Sequence, residues 1–154
     1  MAVADAKYKF VYVDGGAEGG AGDGGTWRKC ILHHAIEQNR VGFPEDSTLS
    51  NDDTPIPFHI IADGAIALKT TLMKPYFHTS QARHEEIYSY RLSRARRVVE
   101  NAFGNLQMRF RIFGTTIQQE PKVVQLITMC GCILHNFILD HYPFAPNVID
   151  REDT

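Results

Sequence analysis

Apolar residues recur at helical spacing along one long stretch of the chain, from Ile87 to Gly104. At about 100° per residue these positions form one narrow stripe, which is typical of a helix packed against a core. The spacing predicts a helix from about Ser80 to Phe110. Glu100 lies roughly 100° from the centre of the stripe, so we expect its carboxylate at the border between core and solvent. The residues of the predicted stripe are Tyr88, Leu92, Ala95, Val99, Ala102, Phe103 and Leu106.

Two other segments carry the patterns of β-strands. Residues 2–6 are apolar around a single acid, Asp5, and residues 8–13 alternate with a period of two and are rich in β-forming side chains. Residues 57–62 form a short apolar and β-branched run, which predicts a buried strand. The run ends directly at Asp63. An acid at this position is either a functional carboxylate or a turn residue, and turn residues are the commoner case.

The rest of the chain is predicted to alternate between helices and loops. Apolar spacing predicts a helix from Trp27 to Gln38, and Pro121 suits the first residue of a last helix. Prolines and short polar side chains predict a long loop over residues 40–57. We interpret residues 68–76 as a short connection that ends near Pro75, and residues 115–120 as a break between the two last helices.

Length and composition fit one folded domain. The chain has 154 residues, of which 44% are hydrophobic and 22% charged. These are ordinary values for a globular protein, and a core of this size buries about two thirds of the unfolded surface. Residues 143–154 contain prolines and acids and predict a flexible acidic tail. We therefore expect one domain over residues 1–142 followed by that tail.

The charges are unevenly distributed although the net charge is only −2. Seven of the ten arginines lie between Arg83 and Arg111. A local concentration of this kind is either an anion-binding surface or a solvated helix face, and the solvated face is the default. The total charge alone gives no indication of nucleic-acid binding.

The cysteines and the chain start favour a reducing compartment. Three cysteines make no disulfide framework. The N-terminus does not resemble a signal peptide and no apolar run reaches 18 residues, so we expect no membrane span and a location in the nucleus or cytoplasm. Cys130, Cys132 and His135 have zinc-ligand chemistry, but a structural zinc site needs a fourth ligand. Burial in a helix core is the favoured interpretation of these residues.

A glycine-rich stretch from Gly15 to Gly25 contains a G-x-G-x-x-G pattern at Gly20, Gly22 and Gly25. This pattern follows a predicted strand and is compatible with a dinucleotide-binding loop. In so glycine-rich a segment the match carries little weight, and no βαβ unit is predicted after it. We favour a flexible connection and expect no nucleotide cofactor.

Three acids stand at related positions of the predicted elements. Asp5 and Asp63 interrupt or end apolar strands, and Glu100 lies at the border of the helix that follows the second strand. If the strands are neighbours and the helix packs on their sheet, the carboxylates converge and repel each other unless a cation lies among them. Mg²⁺ fits such a site, and two ions about 3.5–4 Å apart support in-line phosphoryl transfer. Neighbouring arginines would then contact phosphates, namely Arg94, Arg96 and Arg97.

Each acid also has a purely structural interpretation. Asp5 and Asp63 can be turn or cap residues, and Glu100 can pair with Arg96 on the helix surface. Such a surface pair contributes a few tenths of a kcal/mol, and arginine before glutamate is its weaker orientation.

Several longer motifs resemble the catalytic domain of the PIF/Harbinger transposases, a branch of the DDE nucleases. The resemblance extends over nearly the whole chain and is most specific from Tyr90 to Gly104. The matching segments are Met1–Ala6, the strand to Gly15, Asp23-Gly24, Asp63, Leu72–Tyr76, Tyr90–Gly104, Arg109–Phe113 and Cys132–Phe137.

The resemblance implies a fold, a site and partners. The fold is an RNase H-like mixed sheet flanked by helices, and the acids matching Asp5, Asp63 and Glu100 hold two Mg²⁺ or Mn²⁺ ions. The implied activity is DNA cleavage and strand transfer in the nucleus, with a Myb-like protein as a possible partner. The match begins inside the first catalytic strand, so we expect the N-terminal part of the sheet to be incomplete. The alternative is an inactive, transposase-derived module that binds DNA or protein.

Overall fold

A computed structural model describes residues 1–16, 20, 22–49, 53–76 and 82–142. The backbone divides into two compact units. The first consists of residues 17–100 together with Met1, and the second combines residues 2–16 with the chain from Asn101 onward.

The first unit begins with two short helices where the sequence predicts one. Helices α1 (Gly22–Lys29) and α2 (Ile31–Glu37) are separated by Cys30, whose backbone is extended. The Cys30 sulfur accepts the His33 N–H at 3.3 Å and so caps α2. This bond satisfies one of the unpaired N–H groups at the start of a helix, and a cysteine in that role is not a recognised helix-start signal. The single helix from Trp27 to Gln38 was therefore a wrong prediction.

Four two-residue strands follow among the described residues of the first unit. Strands β3 (Ser47–Thr48) and β4 (Pro55–Ile56) pair antiparallel within the predicted long loop. Strands β5 (Ile60–Ile61) and β6 (Leu72–Met73) pair in parallel, so residues 68–76 contain a strand and not only a connection. The buried strand predicted before Asp63 is confirmed as β5, although it is shorter than predicted. Strands of two residues are too short to show a period in the sequence.

Helix α3 (Arg83–Arg109) confirms the long helix, and its predicted start at Ser80 lies outside the described residues. The division between the two units falls within it, after Glu100. Most of the predicted stripe is at least partly buried, but Ala95 and Phe103 are exposed. Ala95 lies in an open groove on the helix surface, so its methyl group stays accessible. Phe103 nevertheless packs on Phe10, with the ring centres 5.0 Å apart.

The second unit contains an antiparallel pair of strands and the last helix. Strand β1 (Ala2–Ala4) pairs with β2 (Phe10–Val13), with an irregularity in register between Val3 and Ala4. A 3-10 helix spans Arg111–Gly114, and α4 covers Pro121–His141 with its proline in the first turn, as predicted. The predicted tail lies outside the described residues. The core of this unit contains Phe10, Ala102, Leu106 and Cys132.

The α/β class is confirmed, whereas the predicted sheet differs from the observed one. The strands in the described part of the chain form three separate two-stranded sheets. The strand before Asp63 pairs with β6, and the strand before Asp5 pairs with β2. The joining of these strands into one RNase H-like sheet therefore stays a prediction.

Helix α4 is also long and apolar enough, by length and composition, to cross a membrane. The sequence argument missed this because Gln125, Thr128 and His135 interrupt the apolar run without adding a charge. The test is weak evidence for a span, since core helices of folded domains pass it too. Helix α4 buries Cys132, His135 and Leu139 in the interior of the second unit, while several of its other apolar side chains, among them Leu126, Ile133 and Phe137, are exposed.

Two helical glycines are predicted to respond oppositely to alanine. At Gly131 an added Cβ would lie 2.5 and 2.6 Å from ring atoms of Phe113, whereas at Gly104 it would meet nothing within 4 Å. Gly104→Ala is expected to raise the free energy of unfolding by about 0.5–1 kcal/mol through helix propensity alone. Gly131→Ala gains the same propensity but overpacks the core, so we expect a net loss of about 1 kcal/mol. Urea denaturation of both variants measures this difference, and equal effects would contradict the packing of Phe113 on α4.

Candidate active site

Asp63 follows strand β5 and shapes the turn in which it lies. Its Oδ1 accepts the Ala65 N–H at 2.6 Å, and its carbonyl accepts the Ile66 N–H at 3.2 Å. The turn interpretation of this acid is therefore correct. Since the turn uses one carboxylate oxygen, Oδ2 remains to face other groups.

Arg96 links Asp63 to Glu100 within the first unit. Its Nη1 lies 3.6 Å from Asp63 Oδ2, and its Nη2 lies 3.2 Å from Glu100 Oε1. The Glu100 pair joins residues four apart on α3, as the structural interpretation of the sequence expected. The additional contact to Asp63 was not predicted. One guanidinium thus brings together two of the three acids that the sequence singled out.

Stability alone gives little reason for this arrangement. The side chains are 36% exposed at Asp63, 38% at Arg96 and 56% at Glu100. Ion pairs with this much solvent contact contribute about 0–1 kcal/mol. The arginine also precedes the glutamate on the helix, which is the weaker orientation. The main consequence of the bridge is the position of the two carboxylates, because both lie within 4 Å of the Arg96 guanidinium.

The donor set of this pair fits a hard divalent cation. Mg²⁺ is usually held by one or two carboxylates, with water and substrate phosphate supplying the other oxygens. In this structure the positive charge that contacts both Asp63 and Glu100 is the Arg96 guanidinium. Within the described ranges, no group of three or more His, Cys, Asp or Glu side chains forms a metal site. The three-acid cluster is therefore still a prediction, and two of its members contact the same guanidinium.

Asp5 belongs to the second unit and lies in the turn between β1 and β2. Its Oδ1 accepts the N–H groups of Lys7 and Lys9, each at 2.9 Å. Its own N–H donates to the Lys9 carbonyl at 2.9 Å, and its carbonyl accepts the Tyr8 N–H at 3.0 Å. Asp5 is thus a turn residue as well, with one carboxylate oxygen used by the turn.

Two residues of helix α4 form hydrogen bonds with the backbone at the end of this turn. His135 is fully buried and its Nε2 lies 2.9 Å from the Tyr8 carbonyl oxygen. Asn136 accepts the Phe10 N–H at 2.9 Å and donates to the Phe10 carbonyl at 2.8 Å. Sequence reasoning assigned His135 to a core, which is confirmed, but it overlooked Asn136. The available signal was that His135 and Asn136 are adjacent polar residues between the apolar pairs Ile133-Leu134 and Phe137-Ile138.

Burial also sets the chemistry of the groups on α4. It lowers the pKa of His135, an effect that the Tyr8 carbonyl opposes and the nearby Arg109 charge reinforces. The ring is therefore neutral at physiological pH. Burial raises the pKa of the Cys132 thiol, which keeps the thiol protonated and unreactive. Cys132 and His135 thus have structural roles, as the sequence favoured, whereas the predicted burial of Cys130 was wrong because its side chain is exposed on α4.

The remaining candidate residues have simpler surroundings. Arg94 and Arg97 are exposed on α3 and take no part in the ion pairs of Arg96. Gly22 begins helix α1 and Gly25 lies within it, so a helix replaces part of the predicted flexible connection. The preceding strand β2 pairs antiparallel with β1, whereas a dinucleotide loop requires a parallel βαβ unit.

The comparison with known protein families covers most of the chain. The family model of the DDE superfamily endonucleases matches residues 1–136, which include all three candidate acids. No curated protein and no solved structure matches the chain. Because the matched residues make up most of the sequence, the chain belongs to the DDE superfamily endonucleases.

Proposed function

We propose that this chain is the catalytic domain of a PIF/Harbinger-type transposase that cleaves DNA and transfers strands with the help of divalent metal ions. The observation that supports the proposal most is the Arg96 bridge between Asp63 and Glu100 in a DDE superfamily chain. The proposed catalytic acids are Asp5, Asp63 and Glu100, and the proposed ions are Mg²⁺ or Mn²⁺. The proposed domain covers residues 1–142 and adopts an RNase H-like sheet.

The acids and the arginines have different roles in the proposed reaction. Asp63 and Glu100 hold negative charge at one place, and their turn and helix fix that place before substrate arrives. When bound, the metal ions would stabilise charge on the attacking and leaving oxygens of a phosphodiester. Arg94 and Arg97 are exposed on α3 and would contact phosphates, which carry most of the affinity for DNA. Arg96, which pairs with Asp63 and Glu100, is the third proposed phosphate contact.

The proposed activity also implies a location in the cell and a protein partner. A transposase acts on chromosomal DNA, so we propose a nuclear location and a Myb-like protein as a partner. Both come from the family resemblance in the motifs of α3 and α4.

Cleavage of labelled duplex and supercoiled DNA tests the proposed function. The purified chain is incubated with Mg²⁺ or Mn²⁺, and matched reactions contain a chelator. We expect nicking that depends on metal and stops with the chelator. DNA binding without cleavage under every metal condition would contradict the enzyme and favour the alternative, a transposase-derived binding module.

Arg96→Gln is expected to tighten binding of Mn²⁺ to the protein. Removing the guanidinium leaves Asp63 and Glu100 without their shared positive charge, so an added cation no longer competes with it. Two partly exposed ion pairs contribute up to about 1 kcal/mol each, so their loss corresponds to an increase in Mn²⁺ affinity of up to about thirtyfold. Isothermal titration of the metal without DNA measures the effect.

Arg94→Gln is the matched control for this titration. It removes the same charge from the same helix at an exposed position that contacts neither carboxylate, so the Mn²⁺ affinity should stay within about twofold of the wild type. Equal affinities for the Arg96 and Arg94 variants would show that the bridge does not occupy a cation site.

A further inference from the structure

The turn that carries Asp5 depends on contacts from α4. His135 binds the Tyr8 carbonyl, and the Asn136 amide makes both a donor and an acceptor contact with the Phe10 backbone. Asn136 therefore occupies the edge of β2 at Phe10 as a neighbouring strand would. These two residues, here called the turn clamp, are separated from Tyr8 and Phe10 by 127 and 126 positions in the sequence.

The clamped residues include a strained position. Tyr8 has a φ of 65°, in the left-handed region that residues other than glycine rarely adopt. Such a conformation persists only where surrounding contacts hold it in place. The His135 ring contacts the carbonyl of this residue, and it is fully buried. The clamp thus contacts the backbone of a residue in an unfavourable conformation.

The clamped backbone holds one oxygen of the Asp5 carboxylate. The Lys9 N–H lies between the two clamped residues and donates to Asp5 Oδ1, as does the Lys7 N–H. In the described part of the chain, Asp5 Oδ2 accepts no hydrogen bond. A rotation of the Tyr8–Phe10 backbone would release Oδ1 and let the carboxylate turn. The clamp therefore acts on the carboxylate orientation through the Lys9 amide.

We propose that His135 and Asn136 are positioning residues for Asp5, which keep its carboxylate anchored by Oδ1 and present Oδ2 for cation binding. The proposal rests on the proposed function, in which Asp5 is one of the three acids. It adds two residues on α4 that do not touch DNA or metal themselves.

Amide hydrogen exchange of the full chain, resolved by NMR, tests the orientation without requiring catalysis. Asn136→Ala removes both contacts to Phe10, and we expect the Lys7 and Lys9 amides to exchange about tenfold faster, since two hydrogen bonds are lost. Asn136→Asp keeps an acceptor for the Phe10 N–H and should give an intermediate rate if Asn136→Ala proves too unstable. Unchanged exchange at Lys7 and Lys9 in both variants would overturn the proposal.

Asp140→Asn is the matched control on the same helix and turn. Asp140 contacts the Lys9 Nζ at 2.7 and 3.0 Å, and its side chain is 55% exposed, so its loss leaves the backbone contacts intact. We expect Lys7 and Lys9 exchange within about twofold of the wild type. A tenfold increase in this control would show that any contact from α4 has the same effect, which contradicts a specific role for Asn136.

The cleavage assay supplies a second, separate readout. Asn136→Ala should lower kcat about tenfold with little change in KM for DNA, because the acid is misoriented while the exposed arginines are intact. Asn136→Asp should restore part of kcat. Wild-type protein that does not cleave would contradict the proposed function, while the exchange rates would still decide the role of the clamp. A wild-type kcat in Asn136→Ala would overturn positioning even in an active enzyme.

Discussion

Glu100→Gln is expected to lower the rate of metal-dependent DNA cleavage by at least about a hundredfold. The change keeps the size of the side chain but removes the charge that binds the cation. The loss of one charged ligand at a metal site costs several kcal/mol of transition-state stabilisation, and each 1.4 kcal/mol is tenfold in rate. Asp63→Asn should have the same effect, because it removes the charge of a second proposed metal ligand. The turn should be kept, since the asparagine amide oxygen can still accept the Ala65 N–H. Initial rates on labelled duplex DNA measure both variants.

Glu86→Gln is the matched control for this prediction. Glu86 is an exposed acid on the same helix α3, and its substitution removes the same charge away from Asp63 and Arg96. Its cleavage rate should stay within about twofold of the wild type, as expected for a screened surface charge. Comparable rates for the Glu86 and Glu100 variants would remove Glu100 from the proposed site.

Leu106→Ala is expected to lower the free energy of unfolding by about 2–5 kcal/mol. Leu106 is 3% exposed and lies in the core of the second unit with Phe10, Ala102 and Cys132. Truncating a buried leucine removes apolar contacts and leaves a cavity, which together give losses of about this size. Typical domains have only 5–15 kcal/mol of stability in total. Chemical denaturation followed by circular dichroism gives the value.

Leu126→Ala tests whether burial causes that loss. Leu126 lies on α4 and is 70% exposed, so the same chemical change should alter stability by less than about 0.5 kcal/mol. A large loss at Leu126 together with a small loss at Leu106 would contradict the burial of Leu106 on α3 and the exposure of Leu126 on α4.

The long periodic elements of this protein are predictable from its sequence. The stripe around Leu92 and Leu106 predicts α3 because a long helix repeats its apolar spacing many times. Pro121 marks the start of α4 because proline suits the first helical turn, where its missing N–H costs nothing. Both signals are local, and both helices lie within a few residues of the predicted positions.

Short or long-range features escaped prediction for physical reasons. Strands β3, β4 and β6 have two residues each, and two residues cannot display alternation. The break at Cys30 has neither glycine nor proline, and it depends on a thiol acceptor at the start of α2. In each case the sequence lacks the repetition or the residue type on which pattern arguments rely.

The candidate site was predicted in part. Asp63 and Glu100 were singled out from their positions after a strand and on the border of a helix, and Arg96 from its place one turn before Glu100. Their meeting depends on tertiary packing, which the sequence does not encode locally. Asn136 was overlooked because its partner Phe10 is 126 residues away. The family was accessible from motifs because the run around Glu100 is specific, whereas the PIF/Harbinger subtype stays a proposal.

Direct binding of Mn²⁺ to Asp63 and Glu100 is the measurement on which the proposed function depends most. Electron paramagnetic resonance of the free ion during a titration gives the affinity without DNA or catalysis. We expect saturable binding by the wild-type chain and at least about a tenfold weaker affinity when Asp63→Asn and Glu100→Gln are combined. Mn²⁺ binding of equal affinity in the wild type and the double variant would contradict a metal site at these two acids.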